Sequence, residues 1–192
     1  MSKQMKTVPL FIAAYILLTL PALAQSNDLA VTVGGYFPIN SQVGANSAFA
    51  IGGNFAHRIA SVPLASLYIE LPVFGTFNST TNIINSTLTR PRYSTLFVSP
   101  GLKLKLAPSF PISPYFVAGG GLAHFSKSNV TTSDSTNTGV FDVGGGLDFK
   151  IAPYIGVRTE VRDFYSGSPN ITTNFTDRQH QLIASAGLVL RF

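Results

Sequence analysis

The stretch VFDVGGGLDFKIAPYIGVRTEVRDFY, Val140 to Tyr165, decides the fold. Phe141, Val143, Leu147, Phe149 and Ile151 fall on one face of an extended chain, and Asp142, Gly144, Gly146, Asp148 and Lys150 on the other. After Ala152-Pro153 the alternation restarts, with Ile155, Val157 and Val161 opposed to Arg158, Glu160 and Arg162. A period of two belongs to strands, and a short break carrying Pro is a tight turn. The stretch therefore reads as a β-hairpin with one apolar face and one face bearing charges of both signs.

The same rhythm predicts eight strands, at 29–37, 48–60, 64–77, 93–106, 114–125, 138–151, 154–166 and 178–192. The connections between them alternate in length. SVP, APSFPIS and AP are short; PINSQVGANS, NSTTNIINSTLTRPR, SKSNVTTSDSTN and GSPNITTNFTD are longer. Short turns at one end and long loops at the other are the layout of an up-and-down barrel that crosses an outer membrane.

Which face points inward is settled by residue type. A face carrying Glu70, Lys103, Lys105, Asp142, Asp148, Lys150, Arg158, Glu160 and Arg162 is very costly in hydrocarbon, because each charge needs a partner or water. Inside an eight-stranded barrel, a space about filled by side chains, opposite charges pair across the lumen and glycine leaves room for them. These nine residues are expected to form a lumenal charge network, with the apolar faces toward lipid. Tyr36, Phe37, Tyr93, Tyr115, Tyr154, Phe164 and Tyr165 fall near strand ends, where an aromatic girdle belongs, although parity turns some of them inward. The segment 114–125 is mixed on both faces and is left unoriented. The competing arrangement, a soluble lipocalin-like barrel, would turn the apolar face inward around a ligand and leave glycine-rich, weakly charged strands in water.

Composition agrees. Charged residues make up 11% of the 192, against roughly 25% in soluble domains. There is no Cys, so neither disulfides nor a Cys metal site is available. Lys3 and Lys6 precede the apolar run from Val8 to Leu20, and Ala22-Leu23-Ala24 forms a cleavage site before Gln25. Residues 1–24 are thus expected to be a secretory signal peptide and 25–192 a single outer-membrane barrel domain. Losing the two lysines lowers the formal charge from +5 to +3, too weak and dispersed for nucleic acid.

The segments PYFVAGGGLAHF and VFDVGGGLDFKI, followed by PYIGVRTEVRDFY, resemble the small outer-membrane β-barrel family that includes the OmpA transmembrane domain and OmpX. The resemblance spans about Asp28 to Phe192 and implies an all-β, eight-stranded antiparallel transmembrane barrel. It carries no peptidoglycan-anchoring role. In such proteins an aromatic C-terminal residue, with apolar residues at alternating positions before it, is what the barrel-assembly machinery recognises. Here Ala186, Leu188, Leu190 and Phe192 match. The resemblance further implies outer-membrane lipid and lipopolysaccharide as surroundings and polar loops open to an unidentified extracellular ligand.

Several side chains admit chemical readings. The ionic ladder could form a gated ion path, but neutralising enclosed charge is the simpler account. His124-Phe125-Ser126 is similar to the His-x-Ser of outer-membrane lipid A deacylases, with Ser as nucleophile and His as base. Lys127 replaces the Asn usual after that Ser, and no Glu follows in the next strand to orient the His. His57 and His180 are isolated, which makes no metal signature, and no cofactor is implied. The N-x-S/T matches at Asn78, Asn85, Asn129, Asn170 and Asn174 follow from Asn/Thr-rich loops, and the GGG runs open no helix, so they are not phosphate loops. The expectation is a non-enzymatic barrel with a structural or surface-interaction role.

Overall fold

The computed structural model describes residues 26–39, 47–80, 92–128, 133–166 and 179–192. Nine strand segments are present: β1 (Asn27–Ile39), β2 (Ala48–Val62), β3 (Ala65–Thr80), β4 (Arg92–Val98), β5 (Gly101–Leu106), β6 (Ile112–Ser128), β7 (Ser133–Lys150), β8 (Ile155–Ser166) and β9 (Gln179–Arg191). All pair antiparallel with their neighbours, and β9 returns to β1 through Leu29↔Leu190 and Val33↔Ala186. Reciprocal bonds between Asn27 and Phe192 complete the seam. The result is a closed barrel of eight staves, with no edge left open for foreign pairing.

The fourth stave is one predicted strand broken in two. Ser99 and Pro100 separate β4 from β5, yet both halves pair with β3 on one side and β6 on the other, and the register carries across the break, with a shift farther along β4 between Thr76 and Ser79 of β3. Pro100 has no N–H, and neither has Pro72, which faces Ser99 from β3, so the regular ladder is interrupted there, with the Ser99 N–H still donating to the Pro72 carbonyl at 3.4 Å. A second difference lies at the β6–β7 connection. The segment read as a twelve-residue loop is largely strand, paired through Ser126↔Ser135 and Ser128↔Ser133. Asn, Ser and Thr in a period-free block carry a turn signal, but cross-strand hydrogen bonding overrides it.

Burial alternates along every stave. Leu29, Val31 and Val33 on β1, Ile69, Leu71 and Val73 on β3, and Leu188 and Leu190 on β9 are exposed, while the residues between them are mostly buried. The exterior is the apolar surface and the interior the polar one. β6 resolves in the same way: Tyr115, Val117, Ala123 and Phe125 face inward, Phe116, Leu122 and His124 outward. No described helix is long and apolar enough to cross a membrane. The signal-peptide reading concerns residues 1–24, outside those described.

Candidate functional site: a two-layer lumen

The interior is built in layers that follow the strands. On β3 the inward series from the turn end runs Ser66, Tyr68, Glu70, Pro72, Phe74 and Thr76, so the ionic Glu70 comes before the phenylalanine.

In the turn half, Asp28 and Asp148 are shared among four cations. Lys105 Nζ lies 2.7 Å from Asp28 and 2.8 Å from Asp148. Arg158 forks onto Asp148 at 2.7 and 3.0 Å, and its Nη2 lies 3.4 Å from Asp28. Lys103 stands 3.6 Å from Asp28, and Arg191 3.5 Å from Asp148. Toward mid-barrel the ratio inverts. Arg162 alone holds Asp142 at 2.7 Å, Glu70 at 2.8 Å and Glu160 at 3.1 Å. Tyr115 joins the layers: its hydroxyl donates to Glu160 at 2.7 Å, while Lys103 and Arg158 lie 4.5 and 5.0 Å from its ring centre. Asn54 donates to Glu70 at 3.0 Å.

Above this network sits an apolar plug. Phe97 and Phe164 stack at 4.5 Å, Phe74 meets Phe164 edge-on at 5.7 Å, and Phe125 meets Phe97 at 6.2 Å. Tyr36, Ile183, Val140, Ala50 and Ala123 fill the gaps. The Tyr36 hydroxyl donates to Gln181, which in turn donates to Ser166 at 2.8 Å, so the buried polar groups of the plug are joined to one another.

Eight of the nine residues expected in the lumen are buried there: Glu70, Lys103, Lys105, Asp142, Asp148, Arg158, Glu160 and Arg162. Lys150 corrects the expectation. It lies on the inward side of β7, opposite Gly156, but at the strand's end, where it is exposed and outside the network. The girdle aromatics divide by parity, as expected. Tyr36, Tyr115 and Phe164 are enclosed, whereas Phe37 and Tyr154 are exposed and Tyr165 packs beside His180. The Tyr93 side chain lies outside the described residues. Sequence reasoning missed Asp28, Arg191 and the Phe plug. Asp28 precedes the small inward residues Ala30 and Thr32, and Arg191 alternates with Leu190 and Phe192, so parity was the available signal. Phe74 and Phe97 share the parity of Glu70 and of Lys103, the signal that places them inward, whereas Phe125 lies in the segment 114–125 whose facing the sequence leaves open.

Glycine makes the room. A Cβ at Gly146 would meet the Thr159 carbonyl and the Tyr115 hydroxyl, and one at Gly52 would meet the Phe74 ring. Among the described residues no group of His, Asp and Glu is arranged to hold a metal ion. The three histidines face outward. His57 bonds Asn27, His124 bonds Asn137 at 2.6 Å, and His180 bonds Asp163 at 2.7 Å.

An ionic and aromatic interior within an apolar exterior, closed by antiparallel staves, defines a small barrel of the outer-membrane type. The solved structures it is similar to are of that type. Neisserial surface protein A (NspA) matches with a TM-score of 0.66 and 15% identity, over 88% of this chain and 98% of that one. The N-terminal β-barrel domain of Pseudomonas aeruginosa OprF matches at 0.51 and 14%, over 87% and 98%. The outer membrane enzyme PagL matches at 0.50 and 14%, over 84% and 97%. At these identities the likeness is one of fold. No protein-family model and no curated protein sequence matches the chain.

Proposed function

We propose that this chain is an exported outer-membrane protein whose closed barrel is a non-enzymatic scaffold, with a structural or surface-interaction role borne by its long loops. The observation that carries the reading is the inverted surface. Leu29, Phe55, Leu71, Leu104, Phe116, Phe141 and Leu188 cover the outside, while Arg158 and Arg162 are 1% exposed inside. Only lipid covers such an exterior without a large hydrophobic cost. The ionic network and the phenylalanine plug that cross the lumen support a scaffold over a wide open pore. Lipopolysaccharide and phospholipid then surround the apolar belt. Leu188, Leu190 and Phe192, all outward on the closing strand, serve as the assembly signal.

Outer-membrane fractionation combined with heat-modifiable gel migration tests location and barrel together. A chain found in the soluble fraction, or one whose mobility heating leaves unchanged, would refute the reading. Planar-bilayer recordings of the refolded protein are expected to show no wide-pore conductance.

One observation favours a second reading, a lipid A-modifying hydrolase. His124 and Ser126 share the outward face of β6 near its loop end, and Asn137 of β7 engages His124 Nδ1 at 2.6 Å. An amide orients an imidazole but stabilises its charged form less than a carboxylate does. Mass spectrometry of lipid A from cells carrying the native chain or His124→Ala separates the two. Under the scaffold reading the acylation pattern is identical in both.

A further inference from the structure

The turn half of the lumen has more positive charge than its carboxylates neutralise. Lys103, Lys105, Arg158 and Arg191 surround Asp28 and Asp148. Two more cations stand at the mouth below them. Arg58 pairs with Tyr68 and shares its inward side. Lys150 pairs with Gly156, above which the Arg191 guanidinium lies. Among the described residues of this half, four basic side chains therefore surround two side-chain carboxylates, with Arg58 and Lys150 at the mouth outside that network. The matching excess of acid lies in the layer beyond Tyr115, around Arg162.

Within that excess, two donors make no hydrogen bond. Lys103 Nζ and Arg158 Nη1 are buried and make no hydrogen bond. The two side chains are neighbours, since Lys103 Nζ and Arg158 Nη2 both lie within 3.6 Å of the same Asp28 oxygen and both groups flank the Tyr115 ring. Enclosed cationic donors without a hydrogen bond are costly, and the nearest carboxylates already accept from Lys105 and from the Arg158 fork. What they lack is a compact negative acceptor.

We propose that the lumen binds a small inorganic anion of chloride size between Lys103 Nζ and Arg158 Nη1, reached from the turn end past Arg58 and Lys150. The anion completes the lower charge layer and locks β5 to β8 across the barrel. It is a structural ligand, distinct from anything the loops recognise.

The refolded barrel, unfolded by urea at fixed pH and ionic strength, reads the site when chloride or bromide replaces gluconate. Halide raises the unfolding midpoint, and the folded-to-unfolded ratio rises by about 100-fold when halide reaches about 100 times its dissociation constant. The dependence vanishes in Lys103→Met and persists in Lys150→Gln, which alters only the mouth. Equal stability in halide and gluconate, or a halide response unchanged in Lys103→Met, overturns the proposal. Should Lys103→Met not fold, bromide-soaked crystals of the native protein decide. An anomalous peak between the two nitrogens supports the site, and ordered water there without one overturns it.

Discussion

Arg162 is the residue on which the enclosed acids depend. It is 1% exposed and supplies the cation facing Glu70, Asp142 and Glu160. Removing one partner of a buried network leaves charge uncompensated, whereas removing all of it is far milder. Arg162→Met is expected to destabilise the barrel by about 3–5 kcal/mol, and Glu70→Gln with Asp142→Asn in the same chain to restore part of the loss. Urea unfolding in lipid vesicles measures both. Glycine offers a second contrast at this scale. Gly146→Ala collides with the Thr159 carbonyl and with Tyr115, for a cost of about 1–3 kcal/mol. Gly53→Ala, with no atom within 4 Å of the new Cβ, is neutral or stabilising in the same assay.

At the scale of the strand, each stave serves two environments, and parity decides which side chain meets which. Leu71 lies midway along β3 on the outside, between the buried Glu70 and Pro72. Leu71→Arg is expected to cost about 2–4 kcal/mol when folding is measured in bilayers, the usual penalty for a cation at mid-depth on a lipid face. A Leu71→Arg barrel as stable as the native one would place that face in water. The fourth stave shows the limit of the pattern. Its alternation continues through Ser99 and Pro100, but Pro72 and Pro100 each lack a donor and the regular ladder is interrupted. Strand periodicity reports side-chain direction; it does not report whether the backbone bonds are made.

For the whole molecule, the decisive quantity is the solvent each surface meets. Spin labels at Leu104, Val157 and Leu188 are expected to collide with oxygen dissolved in lipid and to be shielded from a water-soluble quencher. The reverse pattern would put the barrel in water and remove the basis of the functional reading. Two serial barriers, the ionic layers and the stacked phenylalanines, stand in the lumen. Conductance therefore stays closed when only one is weakened, as in Phe97→Ala, and bilayer recordings of that variant check it.

What the sequence determined by itself was the architecture and the sidedness. Alternating apolar and ionic residues leave one economical arrangement, because charges of both signs are stable enclosed together and costly in hydrocarbon. Lys103, Lys105, Arg158 and Arg162 were legible for that reason. What only the tertiary structure decided was which strands bring charges within reach of one another, and what fills the space above them. Asp28 meets Asp148 and Lys105 because β1, β5 and β7 face each other across a closed barrel, a distance no local pattern encodes. Phe74, Phe97, Phe125 and Phe164 form a plug because four inward positions converge at one height. Lys150 follows the same parity as its enclosed neighbours and still reaches the surface, since the end of a strand, unlike its middle, has no opposite wall.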